Sequence, residues 1–183
     1  MSEASIVRHC APTLAGLKTA NLFSCPCEPE EDCAAKLHSL DRQLAPKGIR
    51  ILPLRKSGDR ILTYVYRPDR LAQDLCGCES CDLLRGLGYP DGCPDLCLAR
   101  LIRRLREQED FPHEIGLFLG YPPEDVRGFI ENRAEEYKCA GLWKVYGDAE
   151  AARRTFETYR QCTRHYCSRW EAGCSLDELV VAG

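Results

Sequence analysis

The stretch that decides the fold is Ile49–Tyr66, IRILPLRKSGDRILTYVY. Ile49 to Arg55 carries Ile, Leu and Leu, and Ile61 to Tyr66 alternates and is rich in β-branched and aromatic side chains, which is strand composition. Ser57-Gly58-Asp59 between them is turn chemistry, so the stretch reads as a β-hairpin. Immediately upstream, Cys33, Leu37, Leu40 and Leu44 recur at helical spacing, and the helix stops at Pro46-Lys47-Gly48. Pro29-Glu30-Glu31-Asp32 supplies a proline for its first turn and acids that suit the helix dipole. Further upstream, Cys10–Cys27 (CAPTLAGLKTANLFSCPC) is broken by Pro12, Gly16 and Pro26 and reads as strand and turn, with Ala20 to Cys25 as the strand. The chain therefore opens β-α-β-β, an antiparallel sheet with a helix on one face.

Downstream the pattern turns helical. Leu71 to Leu75 and Cys81 to Leu87 are short pieces, followed by a loop at Gly88-Tyr89-Pro90-Asp91-Gly92. From Pro94 onward Leu98, Leu101, Ile102 and Leu105 fit one helix face, with Arg100, Arg103, Arg104 and Arg106 read as its solvated side. Phe111-Pro112 opens a short helix to Leu119, and Pro122-Pro123-Glu124-Asp125 opens another. Gly141 to Gly147 is a short strand and turn. Asp148 caps the longest helix, whose apolar seam runs Ala152, Phe156, Tyr159, Thr163, Tyr166, Trp170. The expected fold class is α+β: a small antiparallel sheet packed against a mostly helical C-terminal half. A single domain is expected over 1–183, sheet-rich to about 67 and helix-rich beyond.

The chain has 183 residues, 13 of them cysteine, with a formal net charge of −3. No run approaches the length of a spanning helix, and the opening Met1-Ser2-Glu3 reads as no secretory signal, so no membrane contact and a cytoplasmic location are expected. An odd number of cysteines cannot pair completely within one chain, which disfavours a disulfide scaffold. Charge is balanced in the first half and mildly acidic in the second, so no nucleic acid partner is expected. Ile115–Ile130 has the outline of a helix-turn-helix. Its second helix, however, begins Glu124-Asp125, and residues 121–136 hold five acids against two arginines, which repels phosphate. A packed helical hairpin is the better reading. Neither a P-loop nor a G-x-G-x-x-G stretch is present.

Three blocks carry a resemblance: HCAPTLAGLKTANLFS from His9 to Ser24, FPHEIGLFLGYP from Phe111 to Pro122, and WKVYGD from Trp143 to Asp148. Together the chain resembles the domain of unknown function 3793 family, cytoplasmic proteins of mainly anaerobic bacteria. The resemblance implies no established activity. It does imply that Cys10 and Cys139 belong to the family pattern. In that pattern a second cysteine often follows Cys139 by three residues; here that position is Leu142, so a C-x-x-C at this place is broken. The cluster at Cys76, Cys78, Cys81, Cys93 and Cys97 lies outside the pattern.

Two constellations carry candidate chemistry. Cys78-x2-Cys81-x11-Cys93-x3-Cys97, with Cys76 as a fifth thiol, has the spacing of a thiolate site for Zn²⁺ or of an iron–sulfur cluster. Asp74, Glu79 and Asp82 oppose uncompensated thiolates there, and free, unligated cysteine is the competing reading. Cys93 also precedes Pro94 at a helix start, where a thiol gains acidity. The second constellation is a thiol-based active site with Cys10 as nucleophile, Lys18 and the pair His113–Glu114 as cation and acid/base groups, and His9 beside the thiol. Cys25-Pro26-Cys27 is read with its side chains on opposite faces, hence not a redox pair. Cys25, Cys27, Cys33, Cys162, Cys167 and Cys174 are read as packing. The expected function is thus a cysteine-based metal-binding or thiol redox role. The alternative is a non-catalytic interaction or regulatory module, binding a protein partner through an exposed aromatic patch such as Tyr121 or Tyr146, and the third reading is a thiol enzyme using Cys10. No small-molecule substrate is assigned.

Overall fold

The computed structural model describes residues 2–27, 32–107 and 111–182. The chain divides into two compact units, Met1–Asp69 with Tyr159–Gly183, and Arg70–Thr158.

The first is a sheet unit. Its three strands are β1 (Ala20–Pro26), β2 (Arg50–Ser57) and β3 (Arg60–Tyr66), antiparallel in the order β1-β3-β2. The hairpin read from Ile49–Tyr66 is β2 and β3, turning through Gly58 at φ 56°. A bulge between Pro53 and Arg55 shifts the register of the edge strand β2, where a proline removes no central ladder bond. Helix α2 (Cys33–Leu44) starts on Asp32, whose carboxylate accepts from the Ala35 N–H at 2.9 Å. The expected Pro29-Glu30-Glu31 first turn lies outside the described residues. Asp41 pins α2 to the sheet: its Oδ1 accepts from the Ile51 amide at 2.8 Å, and Arg50 grips both carboxylate oxygens.

The strand-and-turn reading from Cys10 needs correction at its start. Glu3–Leu14 is a helix, α1, ahead of the β-α-β-β run. Its buried face is Ile6, Val7, Cys10, Ala11 and Leu14, spaced for a helix. Pro12 stands in the last turn and removes the N–H that would reach the Arg8 carbonyl. The end is closed by Arg67, buried at the end of β3, which donates to the carbonyls of Thr13 (2.7 Å), Leu14 (2.8 Å) and Val181 (2.6 Å).

A second correction concerns the thiols. Cys27 and Cys33 are joined in a disulfide, rather than merely packed. Cys25 and Cys27 are both buried, because residues two apart on an extended chain share a face. The remaining eleven cysteines are free.

The second unit is helical. It contains α3 (Pro68–Leu75, from just before the boundary), α4 (Cys78–Gly86), α5 (Pro94–Glu107), α6 (Ile115–Phe118) and α7 (Pro123–Glu131). A two-stranded ribbon of β4 (Cys139–Ala140) and β5 (Lys144–Val145) follows. The unit boundary falls within α8 (Ala149–Glu171), which Asp148 caps through the amides of Glu150 and Ala151. A last turn, α9 (Leu176–Leu179), belongs to the sheet unit and contributes Leu176 and Leu179 to its core. The architecture is mixed α+β, with a small antiparallel sheet and a helical C-terminal half. No helix among the described residues is long and apolar enough to cross a membrane.

Candidate functional site: thiols of the helical unit

The junction of α3 and α4 and the start of α5 bring four cysteines to one small pocket. Leu71 and Leu75 bury the inner side of α3. The chain then turns at Cys76-Gly77, where Gly77 sits in extended backbone ahead of α4. Cys81 and Leu84 lie one helical step apart on the side of α4 that faces the pocket. Gly88 and Gly92, both left-handed at φ 77° and 70°, let the intervening loop reverse. Cys93 follows and Pro94 opens α5, and the Cys97 amide bonds the Cys93 carbonyl at 3.0 Å, which stacks the two residues one turn apart. Cys76, Cys81, Cys93 and Cys97 therefore line one pocket of about 20 Å³, walled by Leu75 and Leu84. Cys78 is exposed and outside that lining.

The thiols are crowded. Burial first, then the neighbouring Cys93, Cys81 and Cys76, push the Cys97 thiol up, and burial with Cys76 does the same for Cys81. Two S–H groups have turned to backbone acceptors, Cys81 to the Leu75 carbonyl (3.1 Å) and Cys97 to that of Pro90 (3.2 Å). Among the described residues no three His, Cys, Asp or Glu side chains stand as a ready-made metal cage. The Cys81 and Cys97 thiols are thus engaged with backbone carbonyls and not with one another. The Asp91 carboxylate beside them is held by both oxygens on Arg85, which also binds Asp82.

The candidate catalytic residues are divided between the units. Cys10 and Lys18 belong to the sheet unit, and His113 and Glu114 to the helical unit. Cys10 is fully buried, and burial drives its thiol well above the ordinary range, the reverse of what a nucleophile needs. Lys18 is buried as well and pulled down to about 8 by desolvation, against the opposing pull of Cys10. His9 stacks on Phe23 at 4.9 Å. Glu114 is a buried acceptor: Tyr89 Oη–H donates to it at 2.6 Å and Arg104 pairs with it at 2.5 Å. Burial and the Glu114 carboxylate push the Tyr89 phenol above its ordinary range. Arg104 thus leaves the solvated face expected for the arginines of α5. His113 is exposed and turned edge-on to Phe129 at 5.0 Å, so the two members of the pair face different surroundings.

Sequence reading missed Asp125 as an organiser. This carboxylate is 3% exposed. Its Oδ1 accepts from the amides of Tyr146 (2.7 Å) and Gly147 (2.8 Å), and its Oδ2 from the Trp143 indole (2.7 Å). A helix-start acid carries no mark of such a role, although the WKVYGD block did single out its three donors. The exposed aromatic patch is also corrected. Tyr121 and Tyr146 are half-buried, Tyr121 stacked on Trp143 at 4.7 Å and Tyr146 packed against Gly128.

Fold and site together define an α+β protein whose helical unit gathers free thiols at a pocket. The chain belongs to the family described as protein of unknown function (DUF3793), whose model matches residues 6–180. No curated protein and no solved structure matches it.

Proposed function

We propose that this is a metal-binding protein in which Cys76, Cys81, Cys93 and Cys97 hold one Zn²⁺-type ion. The observation that carries the reading is that these four cysteines line one pocket of about 20 Å³. A space of that size takes a single atom-sized occupant, about one water or one ion, so a multi-iron cluster fits poorly. Four thiolates fill a tetrahedral shell and leave no position for substrate, which makes the role structural or sensory, not catalytic. Loading releases the thiol protons and gives the crowded sulfurs a shared cation. Ligation requires the Cys81 and Cys97 sulfurs to leave the Leu75 and Pro90 carbonyls for rotamers that turn them inward. The ion then ties the α3–α4 junction to the start of α5.

Titration of the reduced protein with Co²⁺ under anaerobic conditions tests this. The expected result is one ion per chain with thiolate-to-cobalt charge-transfer absorption, displaced by Zn²⁺. Serine at any of the four positions should abolish the signal, and Cys78→Ser should keep it. Absence of the band, or equal sensitivity to Cys78→Ser, overturns the assignment.

A further inference from the structure

A second concavity of the helical unit has no part in the thiol pocket. It is a cleft of about 430 Å³ between α6, α7 and the β4–β5 ribbon, a volume within the range of small-molecule sites. Its walls are apolar rings and aliphatics: Phe111, Ile115, Tyr121, Phe129, Leu142 and Trp143. Phe111 and Leu142 remain 40% and 43% exposed. An apolar concavity of this size with a few polar groups has the form of a small-molecule site.

The polar groups of the cleft among the described residues are few, and they carry unequal roles. Asp125 is engaged at both oxygens by three neutral N–H donors of the wall, so its acceptor sites are taken up within the protein. The same bonds fix the Trp143 indole, which also meets Phe156 edge-on at 4.5 Å, so the wall is rigid before any ligand arrives. Gly141 makes that approach possible, since a Cβ there would stand 2.2 Å from the Phe156 ring. The cationic lining group is Lys144. Its ammonium lies 4.6 Å from the Tyr137 ring centre and 5.9 Å from that of Phe129, and donates one bond to the Ala134 carbonyl at 2.7 Å. An ammonium has three donors, so the contact with Ala134 does not exhaust it. His113 meets the same Phe129 ring edge-on at 5.0 Å.

From this geometry we infer that the cleft binds a small apolar carboxylic acid, its hydrocarbon or aromatic body against Tyr121, Phe129 and Trp143 and its carboxylate on Lys144, with His113 beside it. One ammonium matches one negative charge. A phosphate ester would want the several donors or the arginine fork that the lining lacks among the described residues. The inference is independent of the metal reading, since none of the four thiols lines the cleft.

The test uses the whole chain carrying Trp170→Phe, so that emission reports on Trp143 alone. Phenylbutyrate and octanoate are titrated against the matched alcohols, phenylbutanol and octanol, by Trp143 emission and by calorimetry. The acids are expected to bind at least about tenfold tighter than the alcohols. Lys144→Met should erase that preference, Lys144→Arg should retain most of it, and Leu142→Trp at the exposed rim, followed by calorimetry because it adds an indole, should block both ligands, with far-UV circular dichroism verifying the fold of each. Failure of both acids to bind at millimolar concentration, or equal binding of acid and alcohol to the parent chain, overturns the inference. So does an acid preference that survives Lys144→Met in a folded protein.

Discussion

The two units use the same residue type to opposite ends. In the sheet unit Cys10, Cys25, Cys27 and Cys33 are core residues among Ile6, Leu14, Phe23 and Ile51, with Cys162 and Cys174 packed against that core. Cys25 shows how such a thiol settles, with only long contacts of 3.6 Å to the Ile61 carbonyl and the Thr63 hydroxyl. In the helical unit Cys76, Cys81, Cys93 and Cys97 face a pocket, on helix ends and a loop. The difference lies in backbone context. Sheet and helix interiors bury a small apolar side chain on one face, whereas turns between short helices leave neighbouring side chains turned toward a common space. Cysteine content therefore says little, and local placement says much.

The largest effect should come from metal. If the four pocket thiols bind Zn²⁺, a free concentration about a thousandfold above the dissociation constant stabilises the folded state by about 4 kcal/mol. Amide hydrogen exchange should slow in the segment from Leu75 to Cys97 and hardly change around β1 and β3. In alkylation of the reduced protein, zinc should protect Cys76 and leave Cys78, also exposed but outside the pocket, reactive. Protection spread evenly over both units would erase the contrast.

The next effect separates the two kinds of cysteine without metal. Cys10→Ser places a hydroxyl in a fully buried apolar site and is expected to cost about 1–3 kcal/mol. Cys76→Ser, at an exposed position, should stay within about 0.5 kcal/mol in the metal-free protein. Urea unfolding of both variants measures this. Equal costs would mean that the thiols of the two units do not differ in kind.

Much of this contrast was legible in the chain, and the failures have physical causes. The hairpin, α5, α7 and α8 were readable because each pairs a clear apolar period with a turn or cap, as at Ser57-Gly58-Asp59 and Asp148. Helix α1 was missed because Pro12 and Gly16 looked like breakers, although Ile6, Cys10 and Leu14 are spaced for a helix. The pairing of Cys27 with Cys33 was missed because it depends on where β1 ends and α2 begins. Spacing also singled out the cysteine cluster, but the choice of Cys76 over Cys78 as a pocket residue depends on the turn at Gly77. Asp125 and Glu114 bind partners distant in sequence, and no local pattern announces those.

Lys18 sharpens the comparison through pH. Its folded value of about 8 lies below the ordinary 10.5, because burial penalises the ammonium. Below pH 8 both folded and unfolded chains carry the proton. Between about 8 and 10.5 the unfolded chain binds more protons than the folded one, so this residue makes stability rise with pH, by at most about 1.4 kcal/mol per pH unit. Cys10 acts oppositely once pH exceeds the ordinary thiol value, because its folded form holds its proton longer. The Lys18 contribution is isolated by comparison with Lys18→Met, which retains Cys10. Relative to that variant the parent chain should gain stability from pH 8 to pH 10, as measured by urea unfolding. A constant difference would mean that the Lys18 ammonium remains hydrated in the folded sheet unit.

The smallest effect tests whether the helical unit holds strain beside its cleft. Arg133, Ala134 and Glu136 adopt left-handed backbone at φ 50°, 65° and 57°, a conformation that costs a residue bearing a Cβ about 1 kcal/mol or more. Ala134 presents the carbonyl that accepts from Lys144. Glycine is at ease at this φ, so Ala134→Gly removes the steric term while keeping the carbonyl, and the gain is offset in part by the greater freedom of glycine in the unfolded chain. The net expectation is a stabilisation of about 0.5 kcal/mol in urea unfolding, with the affinity for apolar acids unchanged. A loss of stability would mean that the alanine methyl makes a packing contact worth more than the strain. A stabilised variant that binds acid more weakly would mean that the stiffness of this segment helps to hold Lys144 at the cleft, so that the strain serves binding.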